Sequence, residues 1–216
     1  MGKLDNKVAI ITGGNAGVGK EIAKLFASEG AKVVISARRQ QVLEEAAKEI
    51  EAAGGTVLCV PTDISKVDDV KNLVSKTVET FGQLDILINN AGVLDKGLNA
   101  IDQIDYDDLN RVIDINQKGT MYCMSEALKV MKSGASIVNI SSVAGQYGAG
   151  GAVYVSTKAA IIGVTKHAAI CNAPPRRPAG GGPLPPAGLR RGGRGTGRND
   201  PRLWQRGLHE HQPRAL

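Results

Sequence analysis

Three side chains able to work on one carbonyl lie close together in the sequence: the hydroxyl of Ser142, the phenol of Tyr154 and the ammonium of Lys158, within SVAGQYGAGGAVYVSTK. Tyr154 and Lys158 stand four apart, so a helix through them puts both on one face, one turn from each other. A free tyrosine titrates near ~10 and exchanges protons poorly at neutral pH; a neighbouring ammonium favours the phenolate and corrects this. Ser142 precedes the pair across a glycine-rich loop and can donate to an oxygen held between them. Tyrosine and lysine at this spacing also occur on ordinary amphipathic helices, so the chemistry depends on what the rest of the chain builds around them.

The elements that must position these groups follow a regular rhythm. Short β-branched apolar runs predict strands at 7–12 (KVAIIT), 32–36 (KVVIS), 56–60, 84–88 and 136–140. Between them, apolar residues at helical spacing predict helices over 17–29, 40–53 and 66–81, a long one over 106–131, and another from Ala152 to about Ala169. Strands alternating with helices imply right-handed βαβ units and a Rossmann-like, doubly wound parallel sheet, an α/β fold covered on both faces. Such sheets bind ligands beyond the carboxyl ends of their strands, and the polar motifs of this chain cluster there.

Thr12-Gly-Gly-Asn-Ala-Gly-Val-Gly19 joins the first strand to the first helix. In that position a glycine turn lets backbone N–H groups and a helix N-terminus approach a pyrophosphate, although it also serves as a plain tight connection. At the end of the second strand an acid favours NAD and arginine favours the 2′-phosphate of NADP. The chain has Ser36-Ala37-Arg38-Arg39, which favours NADP, with two solvated surface arginines as the alternative. Asp63 follows the third strand and Asn89-Asn90-Ala91-Gly92 the fourth; turn chemistry alone would also account for them. Asp102, Asp105, Asp107 and Asp108 gather where a helix begins, with no histidine nearby, and read as capping and dipole compensation rather than a metal site.

Composition divides the chain. The net charge of +6 arises after residue 170, where nine arginines face only Asp200 and Glu210. The first 170 residues carry eighteen basic and nineteen acidic groups. Eight of the nine prolines fall in the last 46 residues, where lysine, valine, isoleucine, phenylalanine and tyrosine do not occur. The expected organisation is a dinucleotide-binding domain over 1–172 and a disordered Pro/Gly/Arg-rich tail over 173–216. Arg190-Arg191-Gly-Gly-Arg194 is similar to RNA-binding arginine-glycine segments, but only Trp204 supplies an aromatic, which argues against a nucleic-acid partner. No apolar run of about eighteen residues and no signal-peptide pattern occurs, so no membrane partner and a cytoplasmic location are expected. Cys59, Cys123 and Cys171 are too scattered for a disulfide framework or zinc knuckle.

Taken in order, TGGNAGVG, Asp63, NNAG, Asn116, Ser142 and Tyr-x-x-x-Lys resemble the short-chain dehydrogenase/reductase family over residues 4–170. The resemblance implies hydride transfer between NAD(P)(H) and a small-molecule carbonyl or alcohol, interconverting ketone and secondary alcohol. By resemblance Tyr154 exchanges the proton, Lys158 lowers its pKa and holds the nicotinamide ribose, Ser142 bonds the substrate oxygen, and Asn116 maintains a relay water. The implied cofactor-binding set is Thr12, Gly13, Asn15, Gly17, Val18, Gly19, Arg38, Arg39, Asp63, Ile64, Asn89, Ala91 and Gly92, together with Tyr154 and Lys158. Asp63 would meet the adenine, Asn89 would hold the cofactor side of the sheet, and homo-oligomers through helices near Tyr154 are a family habit.

The family pattern stops after the Tyr154 helix. A further strand, a Pro-Gly turn beside the nicotinamide and a substrate-covering loop are expected there, and the sequence turns instead to proline, glycine and arginine. The switch from lysine to arginine is what GC-rich DNA read in a wrong frame would encode. The fold is therefore expected to be truncated after that helix, with the fifth strand's outer edge bare, poor folding or aggregation, weakened nicotinamide binding and a pocket open to water. Two further readings are a non-catalytic NADP(H)-binding remnant and an RNA-binding tail. Translating the gene in its other two frames should recover a strand and a Pro-Gly turn following residues 171–175; their absence from both would refute the frameshift.

Overall fold

The computed structural model describes residues 2–172, and the expected tail over 173–216, with Trp204 and its arginines, lies outside the described residues. Five strands form one parallel sheet in the order β3-β2-β1-β4-β5. They are β1 (Val8–Thr12), β2 (Lys32–Ala37), β3 (Thr56–Pro61), β4 (Ile86–Asn89) and β5 (Ser136–Asn139). β1 is central, its five residues all buried, and pairs with β2 from Val8↔Lys32 to Thr12↔Ser36 and with β4 from Ala9↔Ile86 to Ile11↔Ile88. This is the Rossmann-like arrangement expected of alternating strands and helices.

Strand pleating sends neighbouring residues to opposite faces, so each face acquires its own core. On one side Ile11, Val33 and Ile35 pack with Ala23 of α1 (Gly17–Ser28) and with Leu43, Ala46 and Ile50 of α2 (Gln40–Ala52). On the other, Ile10, Val34, Val60 and Leu87 pack with Val70 and Leu73 of α3 (Val67–Phe81) and with Cys123 and Ala127 further on. Burial pushes the Cys123 thiol up to about 12, so it behaves as a small core residue. α3 ends where Gly82 takes a left-handed φ of 78°.

The helix expected over 106–131 is interrupted in its hydrogen bonding. α4 (Tyr106–Val112) passes into a wider π-helical segment, Ile113–Gly119, before α5 (Thr120–Val130). Periodicity does not reveal the wide turn, because its cause is non-local: Asn116 at its centre is bonded to the loop after β4. Asp105 caps α4, accepting from the N–H groups of Asp107 and Asp108 at 2.9 and 3.1 Å. Two further differences concern the end of the chain: α6 (Ala144–Tyr147) forms one turn inside the expected glycine-rich loop, and α7 (Ala152–Asn172) runs past Ala169. Among the described residues β5 pairs only with β4, leaving its outer edge bare and Val138 43% exposed. No described helix is long and apolar enough to cross a membrane.

Leu43 is wholly buried and Leu25 is 59% exposed. Leu43→Ala should cost about 2–5 kcal/mol in urea unfolding, whereas Leu25→Ala should stay within about 0.5 kcal/mol.

Candidate active site

The carboxyl ends of β1, β2 and β4 surround a cavity of about 290 Å³. Its floor begins at Gly13, whose φ of 67° turns the chain out of β1. A Cβ there would stand 3.1 Å from Ala91 Cα, so the turn and the NNAG loop can meet this closely only without a side chain. Gly19 is tighter still, since its Cβ would fall 2.4 Å from the Gly13 carbonyl oxygen. α1 then starts at Gly17 with no side-chain cap and no acid in its first turn. The N-terminal N–H groups of a helix and the positive end of its dipole suit an anion, and Asn15 and Ala16, just before α1, line the cavity.

Thr12, one residue below, is the fastener. Its Oγ1 accepts from the Asn90 and Ala91 N–H groups at 3.0 and 3.1 Å and donates to the Ile88 carbonyl at 3.4 Å. Asn90 Nδ2 returns a bond to the Thr12 carbonyl at 3.0 Å. The cavity wall includes Gly13, Asn15, Arg38, Asp63, Ile64, Ala91 and Gly92 from the sequence expectation. It also includes Ser36, whose buried Oγ has no hydrogen-bond partner. Asp63 is partly engaged, accepting from Ser65 Oγ at 2.7 Å. Thr12, Gly17, Val18, Gly19, Arg39 and Asn89 lie outside that wall: Thr12 is beneath it, Val18 is exposed, and Arg39 stands at the cap position of α2. Asn89 points across the sheet, donating to Asn139 Oδ1 at 2.8 Å and so tying β4 to β5.

The second group of residues converges from α7 and the π-helical segment. Lys158 is buried, and its Nζ donates to the Ile140 carbonyl at 2.8 Å and lies 5.6 Å from the Tyr154 ring centroid. A Cβ on Gly92 would meet Asn116 Oδ1 at 3.3 Å and Lys158 Nζ at 3.5 Å, so Gly92 leaves the space in which these two groups approach the cavity. Asn116 accepts from Val93 N–H and donates to the Val93 carbonyl, both at 2.8 Å, pinning the NNAG loop to the wide turn. Ser142 Oγ accepts from Ala144 N–H at 3.1 Å. Burial holds the Lys158 ammonium below its ordinary pKa.

Sequence reasoning assigned no role to Asn90, Ser36, Ser141 or Thr157. Ser141 Oγ donates to the Lys158 carbonyl at 2.8 Å, and Thr157 Oγ1 accepts from Asn116. Asn90 and Ser36 had a signal, their places inside NNAG and at the end of the second strand; Ser141 and Thr157 depend on contacts between segments that single-chain periodicity does not reveal. One such contact is α6 against α7, where a Cβ on Gly145 would lie 2.5 Å from Ala159 N.

The chain carrying this glycine turn, NNAG loop and buried Lys158 matches a family model described as short chain dehydrogenase over residues 7–174. The chain belongs to the short-chain dehydrogenase family. It is 37% identical over 172 residues to a 3beta-hydroxysteroid dehydrogenase of Mediterraneibacter gnavus, an alignment covering 79% of this chain and 62% of the relative. Secoisolariciresinol dehydrogenase of Forsythia intermedia is 36% identical, with 78% of this chain and 61% of the relative covered. Among solved structures, a short chain dehydrogenase from Burkholderia cenocepacia in complex with NADP superposes with a TM-score of 0.74 at 31% identity, covering 78% of this chain and 69% of that one. This dehydrogenase-family chain thus spans roughly two thirds of the length of the relatives it matches.

The buried ammonium gives a stability prediction. Because the folded-state pKa of Lys158 lies below the ordinary 10.5, the unfolded chain binds more protons between the two values, and stability rises with pH there. The urea midpoint of the unaltered chain should therefore rise relative to that of Lys158→Met as pH goes from 7 towards 10.5. A difference independent of pH would show that burial of the charge is not the cause.

Proposed function

We propose that the chain binds NADP(H) and derives from an enzyme that interconverts a ketone and a secondary alcohol. The observation that carries this reading is the joint placement of Arg38 in the cavity wall and of Lys158 Nζ beside Gly92 at its other end. The residues fit such a cofactor. Arg38 offers a fork to a 2′-phosphate where an acid would repel it, and the uncapped α1 N-terminus suits the pyrophosphate. The buried, unpartnered Ser36 Oγ is a donor awaiting an acceptor in the same wall. NAD is the alternative cofactor, disfavoured by the absence of an acid at the end of β2.

When bound, the nicotinamide supplies or accepts the hydride. The chain's part is position and protons. Tyr154 gives its hydroxyl proton to the carbonyl oxygen in reduction and takes it back in oxidation, and the Lys158 charge stabilises the phenolate left behind. Ser142 Oγ donates to the same oxygen, and Asn116 fixes the loop against which Lys158 is held. The relatives named for a 3beta-hydroxysteroid and for secoisolariciresinol support an alcohol or its carbonyl as the substrate class.

A second reading is favoured by one feature. The cavity wall comes wholly from residues 13–115, whereas among the described residues the side beyond β5 has no neighbouring strand. Cofactor binding is therefore expected to outlast turnover, as a non-catalytic NADP(H)-binding remnant would require.

Arg38→Ala should weaken NADPH binding roughly 10–100-fold in a fluorescence titration while changing NADH binding little, as expected for loss of a charge-assisted hydrogen bond. Tyr154→Phe should leave NADPH affinity within about twofold and lower any ketone turnover by roughly 10²–10⁴. Turnover of a ketone panel at ordinary enzyme rates by the unaltered chain would overturn the remnant reading. Failure to bind either cofactor would overturn the proposal as a whole.

A further inference from the structure

The last turns of α7 carry a pair of metal-ligating side chains that the active site does not use. His167 and Cys171 stand four apart, which on a helix places them on one face, one turn from each other. Both are exposed. Cys171 Sγ lies 3.5 Å from His167 Nε2 and 4.0 Å from Nδ1, so the ring turns its Nε2 edge to the sulfur. The turn carrying the thiol is closed, since Asn172 Nδ2 donates to the Ala168 carbonyl at 2.9 Å.

A hydrogen bond between thiol and imidazole satisfies this distance, and so does a shared cation. With zinc–sulfur bonds of about 2.3 Å and zinc–nitrogen bonds of about 2.0–2.1 Å, a tetrahedral ion holds its sulfur and nitrogen ligands about 3.5 Å apart. The pair already has the spacing of one edge of such a tetrahedron. Two ligands four apart on one helix face are also the device by which the histidines of an H-E-x-x-H helix grip zinc. Thiolate with imidazole selects zinc-type ions over magnesium or calcium, which prefer oxygen. The place suits a cation electrostatically as well: the C-terminal end of a helix carries partial negative charge, and the last turn of α7 has no basic residue to offset it.

We propose that His167 and Cys171 form a two-ligand site for a zinc-type divalent cation on α7. His167 Nε2 gives a lone pair, and Cys171 binds as the thiolate, its proton passing to solvent. Among the described residues no third histidine, cysteine or acidic side chain completes a set with them, so the remaining tetrahedral positions go to water. The ion closes a clasp over one turn and holds the end of the helix whose beginning presents Tyr154 and Lys158. Neither ligand belongs to the cavity wall, so the site is independent of NADP(H) binding.

The probe is Co²⁺, which takes the place of zinc and whose bond to a thiolate gives a charge-transfer band in the near ultraviolet. The titration uses the full chain carrying His209→Ala and His211→Ala, because those are its other two histidines. A saturable band that Zn²⁺ displaces is expected. Cys171→Ser should abolish it, and His167→Ala should weaken Co²⁺ binding roughly tenfold or more. His167→Cys, which returns a second ligand at the same spacing, should recover the affinity. Cys171→Ser with Ala169→Cys keeps one thiol and one imidazole but sets them two apart, on different faces, and should bind no better than His167→Ala. All three positions are exposed, so the variants should fold, which far-ultraviolet circular dichroism checks. Absence of the band in the starting chain would overturn the proposal. So would a band that survives Cys171→Ser, an affinity unchanged in His167→Ala, or full affinity with the thiol at 169, since each would mark adventitious binding alone.

Discussion

The site depends on one hydroxyl at the end of the central strand. Thr12 ends β1 beneath the cavity, and its buried side chain meets the backbone groups leaving β4. Its Oγ1 takes the N–H groups of Asn90 and Ala91 and gives its proton to the Ile88 carbonyl. An unmet buried backbone donor costs about as much as a lost hydrogen bond, so this one side chain keeps the exit of β4 in place. From that exit follow Gly92, which leaves room for Lys158, and Val93, which holds Asn116.

The exit loop links parts of the fold that are far apart in sequence. Residues 92–99 touch the π-helical segment through Asn116, α4 through Arg111 and Asp108, and α7 through Gly151 and Ala152. Asp108 illustrates how firmly the loop is held: the Lys96 N–H, and then Arg111, hold its carboxyl below the ordinary carboxylate range. The loop is thereby anchored under neutral conditions, and the anchorage is lost only as pH falls through that lowered value. A wide helical turn at Asn116 fits this picture, since releasing the regular ladder there frees the side chain to bond both polar groups of Val93.

Much of this was legible in the chain because the signals were local. KVAIIT, KVVIS and the Ala/Glu/Leu-rich stretch after Gln40 each specify an element by their own pattern, and alternation of elements then implies a parallel sheet. The order of TGGNAGVG, NNAG and Tyr-x-x-x-Lys placed the site at the carboxyl ends of the strands. What was not legible depends on contacts between distant segments. The wide turn within 106–131 looks like unbroken helix, because the bonds of Asn116 to Val93 at its centre are to a distant segment. Ser141, Thr157 and Asp95 gain their surroundings only when α7 crosses α6 and meets the β4 loop.

Strand order has a consequence for synthesis. Every residue of the cavity wall precedes residue 116, and β1, β2 and β3, in the order β3-β2-β1-β4, complete their pairings without β5 or α7. Chains fold from the N-terminus as they leave the ribosome, so the half that forms the cavity can close while the segment bearing Tyr154 is still in the exit tunnel. A ligand captured at that stage would stabilise the nascent half by mass action. α7 would then dock onto a surface already formed, against the loop after β4.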